Sequence, residues 1–207
     1  MTTIILVRHG ETVWNVEHRF MGHSDSPLTE LGQQQIAALG SRFQSITFSA
    51  LYSSDSPRAL QTAEAIAGKS GKSVQLDQEL RERNMGVLQG LNKEELASQY
   101  PDYWQTIEAG EYLKLNVPQG ESGEEFNTRA VNIFRELARR HQGETIVAVS
   151  HGGLICTIFR YVLNLPYGRD IKFYCANTSV SIFSCEDAQW TLETWGDVSH
   201  LGKISSQ

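Results

Sequence analysis

The segment IILVRHGET (residues 4–12) joins an apolar strand pattern to reactive side chains. Residues 3–7 form a continuous β-branched and aliphatic run, which is typical of a strand covered on both faces in a parallel sheet. Arg8, His9 and Gly10 follow this run directly. The pattern predicts a buried strand that presents a cation and an imidazole at its carboxyl end.

Two further segments repeat this arrangement. ETIVAVS (residues 144–150) is a second buried strand pattern, and the sequence His-Gly-Gly follows it at residues 151–153. SALYSS (residues 49–54) predicts a third strand, which leads into a helix that carries Arg58 in its first turn. Three predicted strands therefore end at charged or imidazole side chains.

Helix patterns separate the strands. Apolar residues with helical spacing lie within residues 31–43, 60–67, 126–137 and 154–163. Ser56 with Pro57 marks one helix start, and Ser122 with Glu125 forms a capping box at another.

The chain also contains a hairpin pattern. VSIFSC (residues 180–185) and WTLETW (residues 190–195) are separated by EDAQ, which predicts two antiparallel strands. Strands that alternate with helices and end in a hairpin indicate an α/β fold. We expect one three-layer domain with a mostly parallel central sheet flanked by helices and a C-terminal hairpin.

Composition limits the classes of partner and location. The chain has 207 residues, 40% of them apolar, and its net charge of -6 is dispersed along the sequence. We therefore expect no nucleic acid or membrane partner. Three cysteines without C-x-x-C spacing suggest reduced, mostly buried thiols. With no basic leader pattern and no long apolar window, we expect a cytoplasmic protein. We also expect it to be a monomer or a homodimer.

One segment imitates a nucleotide-binding motif. GKSGKS (residues 68–73) resembles a phosphate-binding loop, but Ile66 stands where the motif requires its first glycine. The segment also follows a helix and precedes a strand, the reverse of the required order. We interpret it as a solvated basic turn.

The strand ends predict an anion site. Ligands bind beyond the carboxyl ends of strands in open parallel sheets, so His9 and His151 should face one crevice. Gly152 opens the following helix, where free backbone N–H groups favour an anion. Arg8 and Arg58 add guanidinium groups that match phosphate oxygens in charge and geometry. The arrangement predicts a phosphate pocket.

These residue types also indicate a chemistry. A neutral imidazole can attack phosphorus, and a nearby carboxylic acid can protonate the leaving oxygen. Glu79 and Glu82 are the candidate acids, and we prefer Glu82 because a glycine-containing turn follows it. A zinc hydrolase that uses His9, His151 and a carboxylate is the main alternative, although two arginines would disfavour a cation there. A serine hydrolase lacks its G-x-S-x-G motif here.

Taken together, the motifs resemble the histidine phosphatase superfamily, also called the phosphoglycerate mutase-like family. The resemblance rests on LVRHGETVWN, MGHSDSPLTELG, LYSSDSPRALQTAEAI, LRERNMGVLQG, PQGES and VSHGG, which occur in family order. It implies one such domain over residues 1–207 and a reaction without metal or other cofactor.

The resemblance also implies a role for each matching residue. His9 would be the phosphorylated nucleophile, and Glu82 would donate a proton and later activate water. Arg8, Arg58 and His151 would hold the phosphoryl oxygens. Further contacts to the phosphate would come from Asn15 and the backbone of Gly152, whereas Gly22 and Arg83 are candidates for binding the rest of the substrate.

Two activities remain open within the family. The segment GVLQGLNK (residues 86–93) and Arg83 resemble the cofactor-dependent phosphoglycerate mutases. Residues 84–128, however, hold two lysines against eight acidic residues, a poor environment for a doubly phosphorylated acid. We therefore expect a phosphatase that acts on a small phosphorylated metabolite, with mutase activity as the alternative.

The acidic segment is also rich in aromatic residues. We interpret residues 84–128 as a small helical cap insertion over the site, which selects an ester with a neutral or apolar organic part. Tyr100, Tyr103, Trp104 and Tyr112 would contact that part or form the core of the cap. A regulatory binding module is a further alternative, but it would normally lack one of the site residues.

Overall fold

The computed structural model describes residues 1–168 and 173–202. Within them a central sheet has the strand order β3-β2-β4-β1-β5-β6. Its strands are β1 (Thr2–Arg8), β2 (Ala50–Ser53), β3 (Val74–Leu76), β4 (Thr145–Ser150), β5 (Val180–Glu186) and β6 (Gln189–Asp197). The first four are parallel, and β5 and β6 are antiparallel additions at one edge. The expected mostly parallel sheet is confirmed.

Helices cover both faces of this sheet. Their bounds are α1 (Val13–Val16), α2 (Glu30–Phe43), α3 (Pro57–Ser70), α4 (Lys93–Gln99), α5 (Pro101–Glu108), α6 (Gly123–Arg140) and α7 (Gly152–Val162). Short 3-10 helices occupy Gln78–Leu80, Gly86–Leu88 and Ser199–Leu201. The helices α2 and α3 pack on one face, and α6 and α7 pack on the other. This gives the three layers predicted.

The continuous apolar pattern of β1 follows from this layering. Ile4 and Leu6 belong to the core beneath α6 and α7, whereas Ile5 and Val7 belong to the core beneath α2 and α3. Because both faces of the strand are covered, neither set alternates with polar residues.

Strand register places the functional residues. The strands β1 and β4 are parallel neighbours, and Arg8 lies opposite Ser150 at their carboxyl ends. His9 and His151, the next residue in each chain segment, therefore lie side by side.

A third, smaller core lies over the end of the sheet. Met85, Leu88, Leu96, Ile107, Leu115 and Val117 form it, and all are buried. This core is formed by residues 85–117, and from here on we restrict the name cap, used above for the expected segment 84–128, to residues 85–117. From Gly123 onward the chain belongs to α6, which packs on the sheet.

Local signals are reproduced with small changes. Ser122 and Glu125 form the predicted capping box of α6. Ser56 precedes α3 as predicted, but its side chain makes no capping hydrogen bond. The hairpin turn is shorter than EDAQ, because Asp187 and Ala188 alone make it, both with positive φ.

The remaining sequence predictions concern the basic turn, the thiols and membranes. The helix α3 extends to Ser70 and ends at the left-handed Gly71, so the GKSGKS segment is a helix end. The three thiols are free, although only Cys175 is buried. Across residues 1–168 and 173–202, no helix is long and apolar enough to cross a membrane.

Candidate active site

His9 is the buried imidazole at the end of β1. Its side chain is 3% exposed, and Nδ1 lies 2.8 Å from the carbonyl oxygen of Gly10. A carbonyl can only accept, so Nδ1 carries the proton and Nε2 keeps its lone pair. Burial, together with the charges of Arg58 and Arg8, lowers the pKa of His9 well below its ordinary value. The ring is therefore neutral and free to act as a nucleophile.

His151 lies beside it at the end of β4. The two ring centroids are 5.3 Å apart. Nε2 of His151 lies 2.9 Å from the hydroxyl oxygen of Ser54. Its Nδ1 is buried and has no partner among the described residues. Burial has the largest effect on the pKa of His151 and lowers it well below its ordinary value, and the positive charge of Arg58 lowers it further.

Arg58 is the more deeply held of the two arginines. It is 1% exposed, and its terminal nitrogens donate to the carbonyls of Gly22 and Ser24 and to the carboxylate of Asp25. Burial lowers the pKa of Arg58, and Asp25 opposes that effect, so the guanidinium remains charged.

Arg8 lies against the first turn of α7. One terminal nitrogen donates to the carbonyl of Cys175. A Cβ placed on Gly152 would lie 3.4 Å from Nε of Arg8. The Nε groups of Arg8 and Arg58 are both buried without a partner in the described part of the chain. Buried donors of this kind are rarely left without an acceptor, and a phosphoryl oxygen would supply one.

Glu82 is the acid that reaches this site. Its Oε2 accepts from the backbone N–H of Gly153 at 2.8 Å, and its Oε1 accepts from the backbone N–H of Arg83 at 2.9 Å. Glu82 lines the central cavity, whereas Glu79, the other candidate, does not. The carboxylate therefore lies at the N-terminus of α7, beside Gly152.

Asn15 and Gly22 also lie at the cavity wall. The side-chain oxygen of Asn15 accepts from the backbone and hydroxyl of Thr12, which leaves its amide N–H₂ to face a ligand. Gly22 has φ of +54°, and an added Cβ would lie 2.3 Å from Oε1 of Gln89. Its carbonyl accepts from Arg58. Gly22 thus fixes Arg58 and has no room for a side chain.

Arg83 lines the cavity, but its guanidinium is hydrogen-bonded to the protein backbone. Its nitrogens donate to the backbone carbonyls of Glu121, Tyr112 and Leu115. Burial lowers its pKa. The role of Arg83 in substrate binding stays a prediction, and the contacts present tie it to the cap.

Two polar residues of the site lie outside the sequence prediction. Ser54 ends the third strand segment, so the rule about carboxyl ends could have found it. Asn177 donates to the carbonyl of His9 at 3.0 Å and to the side-chain oxygen of Asn15 at 3.2 Å. It follows no strand or motif, and 168 positions separate it from His9. No local signal could have identified Asn177.

The cavity over these residues has a volume of about 620 Å³. Its apolar wall is formed by Phe20, Met21, Met85, Ile107, Tyr112, Leu113, Phe126 and Phe173. Of the four cap aromatics, only Tyr112 lines the cavity; Tyr100, Tyr103 and Trp104 pack against the core of the cap. The site therefore has a polar end at the sheet and a largely apolar end beneath the cap.

Like Arg83, the outer arginines Arg19 and Arg160 of the cavity have partners. Arg19 pairs with Glu17 and Glu95, and Arg160 donates to the carbonyl of Pro166 and lies over the ring of Tyr167. Among residues 1–168 and 173–202, no group of three histidine, cysteine or acidic side chains could hold a metal ion.

Known proteins resemble this chain in sequence and fold. A sequence model described as the histidine phosphatase superfamily (branch 1) matches residues 4–198. The chain is 38% identical over 202 residues to phosphoglycerate mutase-like protein 4 of Arabidopsis thaliana, and the match covers 96% of this chain and 86% of the relative.

Solved structures agree with that match. The Bacillus stearothermophilus protein YhfR has a TM-score of 0.90 at 34% identity, covering 97% of this chain and 100% of its own. A mutant phosphoserine phosphatase of Entamoeba histolytica, in complex with phosphoserine, has a TM-score of 0.85 at 30% identity and the same coverage. The chain belongs to the histidine phosphatase superfamily.

Proposed function

We propose that this member of the superfamily is a metal-independent phosphomonoesterase that works through a phosphohistidine on His9. The observation that carries the proposal is the buried, neutral imidazole of His9 beside Arg8 and Arg58, whose Nε groups have no partner in residues 1–168 and 173–202. Such a site supplies a nucleophile together with donors for the oxygens of its target.

The first step forms the covalent intermediate. Nε2 of His9 attacks phosphorus, and the bond from phosphorus to the ester oxygen breaks. Arg8, Arg58 and the backbone N–H groups that begin α7 stabilise the charge on the phosphoryl oxygens. His151 also lines the cavity, and its buried Nδ1 has no partner among the described residues, so the tautomer that carries a proton on Nδ1 can donate to the same oxygens.

Glu82 completes both halves of the reaction. In its protonated form it donates its proton to the leaving ester oxygen, so that an alcohol departs. A water molecule then attacks the phosphohistidine, and the Glu82 carboxylate takes the proton of that water. The nitrogen–phosphorus bond breaks, and inorganic phosphate and neutral His9 are restored.

The cavity supports a substrate whose organic part is neutral or apolar. Its outer wall is mainly apolar, and the outer arginines Arg19, Arg83 and Arg160 already hold carboxylates, carbonyls or aromatic rings. These contacts reduce the number of donors and the net positive charge that a second anionic group would meet. The similarity to the Entamoeba phosphoserine phosphatase is consistent with hydrolysis, and we expect the natural substrate to be a small phosphorylated metabolite.

Phosphoglycerate mutase activity is the alternative. It is supported by the name of the Arabidopsis relative and by the GVLQGLNK segment. The two reactions differ in the fate of the phosphoryl group, which moves to water in one and to a sugar acid in the other.

The test is a phosphorus NMR time course in the presence of EDTA. Phenyl phosphate is one substrate, and 3-phosphoglycerate with a trace of 2,3-bisphosphoglycerate is the other. We expect inorganic phosphate from phenyl phosphate, and no 2-phosphoglycerate ahead of free phosphate. Formation of 2-phosphoglycerate first would favour the mutase, and loss of all turnover with EDTA would contradict metal independence.

The variant His9→Ala separates an enzyme from a binding module. We expect it to lose turnover of phenyl phosphate while it still binds inorganic phosphate by calorimetry. Turnover at the wild-type rate would contradict the assignment of His9 as nucleophile.

A further inference from the structure

We propose that Arg129, on α6, is a positioning residue that holds the general acid Glu82 in place. Arg129 does not line the cavity, and no motif singles it out. The inference rests on the proposed function, because it assigns Arg129 a part in the protonation of the leaving group.

Every donor of the Arg129 side chain is used. One terminal nitrogen donates to the carbonyls of Glu79 at 2.7 Å and Arg81 at 2.9 Å, and the other donates to the carbonyl of Glu82 at 3.2 Å. Nε and that second nitrogen also donate to the two carboxylate oxygens of Glu121, both at 2.8 Å. An arginine has five N–H donors, and these contacts match all five.

The acid needs such support because no regular structure holds it. Residues 82–85 lie outside any helix or strand. The carbonyl of Glu82 also accepts from Nε2 of His23 at 2.9 Å, and Arg81 pairs with Asp55. Side chains from other segments therefore fix the backbone of the acid, and Arg129 makes three of these contacts.

Glu121 extends the support to the cap side. The Glu121 carboxylate forms an ion pair with Arg129. Both side chains are about 15% exposed, so the pair is largely shielded from water. Its backbone carbonyl accepts from Arg83, the neighbour of the acid. A two-pronged contact of this kind fixes direction as well as distance. Lysine cannot reproduce it, because its three donors radiate from one nitrogen.

The leaving group gives a specific test of positioning. A misplaced general acid slows the release of a basic leaving oxygen far more than the release of a stabilised one. Phenyl phosphate needs protonation of its leaving oxygen, whereas the p-nitrophenolate of p-nitrophenyl phosphate departs readily without it. The quantity to compare is kcat/KM, which reports the steps up to the formation of the phosphohistidine.

The experiment compares Arg129→Lys with Arg140→Lys. Arg140 lies on the same helix and pairs with Glu136 at the surface, and this pair does not involve residues 82–85 around the acid. We expect Arg129→Lys to lower kcat/KM about 10-fold or more for phenyl phosphate and about 3-fold or less for p-nitrophenyl phosphate. Arg140→Lys should leave both values near those of the wild type.

The outcomes separate the two proposals. If Arg129→Lys slows both esters by the same factor, the positioning role is wrong and Arg129 merely supports the fold. If the wild type hydrolyses neither ester, the proposed function fails, and the role of Arg129 fails with it. Glu121→Gln is a second variant that keeps Arg129 but removes its charged partner, and it should show the same preference for p-nitrophenyl phosphate.

Discussion

The two ends of the cavity are built in different ways. At the sheet end, His9 and His151 follow directly from neighbouring parallel strands, and the strand ladder fixes their backbones. At the cap end, the chain has its own small core and is joined to the site through Arg19 and Arg83, which donate to backbone carbonyls of the cap.

This difference separates chemistry from substrate choice. A sheet edge defines atomic positions tightly, which suits groups that must meet a phosphoryl centre. A cap that is joined by side chains can change its lining without moving the strands, which suits the selection of different organic groups. Glu82 is the exception, because this proposed general acid stands on the less regular side, where we propose that Arg129 positions it.

The largest expected effect lies at the sheet end. Arg8→Lys keeps the positive charge but removes the forked geometry and the buried Nε–H. We expect kcat/KM for phenyl phosphate to fall about 10²–10³-fold, as for the loss of one transition-state donor. Near-normal activity would show that the charge alone is sufficient there. Arg140→Lys is the matched control for the substitution itself.

The second effect lies where the two ends meet. An added Cβ at Gly153 would lie 2.4 Å from Oε1 of Glu82, whereas one at Gly152 has its nearest contact at 3.4 Å. Gly153→Ala should therefore displace the acid and lower kcat for phenyl phosphate about 10- to 100-fold. Gly152→Ala should change kcat only slightly. Equal losses in both variants would contradict the position of Glu82 at the start of α7.

The third effect is on stability and comes from the sheet end. The pKa values of buried His9 and His151 are lowered, so the folded protein keeps them neutral at a pH where the unfolded chain, with pKa near 6.5, binds protons. The free energy of unfolding should thus fall as the pH drops below about 6.5. Urea titrations at pH 7 and 5.5 should differ by about 2–3 kcal/mol.

A variant isolates the contribution of one histidine to this slope. His9→Asn cannot bind the proton, so its unfolding free energy should depend less steeply on pH over the same range. An unchanged slope would show that other groups cause the acid sensitivity.

The smallest effect lies at the cap end. Tyr112 lines the apolar wall but is 43% exposed, so its side chain contributes limited binding energy. Tyr112→Ala should raise KM for phenyl phosphate about 3- to 10-fold with little change in kcat, because it removes binding that is equal in the ground and transition states. The control variant is Tyr103→Ala, because Tyr103 packs against the core of the cap and does not line the cavity. A large fall in kcat for Tyr112→Ala would indicate that the cap takes part in the chemistry.

The sequence predicted the parts of the site that depend on local pattern. Buried strands have continuous apolar runs, and the residue after each run lies at the carboxyl edge, so Arg8, His9 and His151 could be placed together before any contact was known. Arg58 followed from its position in the first turn of α3. Glu82 was separated from Glu79 by a turn signal, and the structure places only Glu82 in the cavity.

Long-range packing decided the rest, since it leaves no periodic trace in the sequence. Asn177 reaches His9 across 168 positions, and Arg129 reaches the acid loop across about 50. The chain by itself determined an α/β fold whose strand ends carry histidine and arginine side chains. Only the tertiary structure decided which loops and arginines orient the acid and form the cavity, because those contacts depend on how separate elements pack and not on neighbours in sequence.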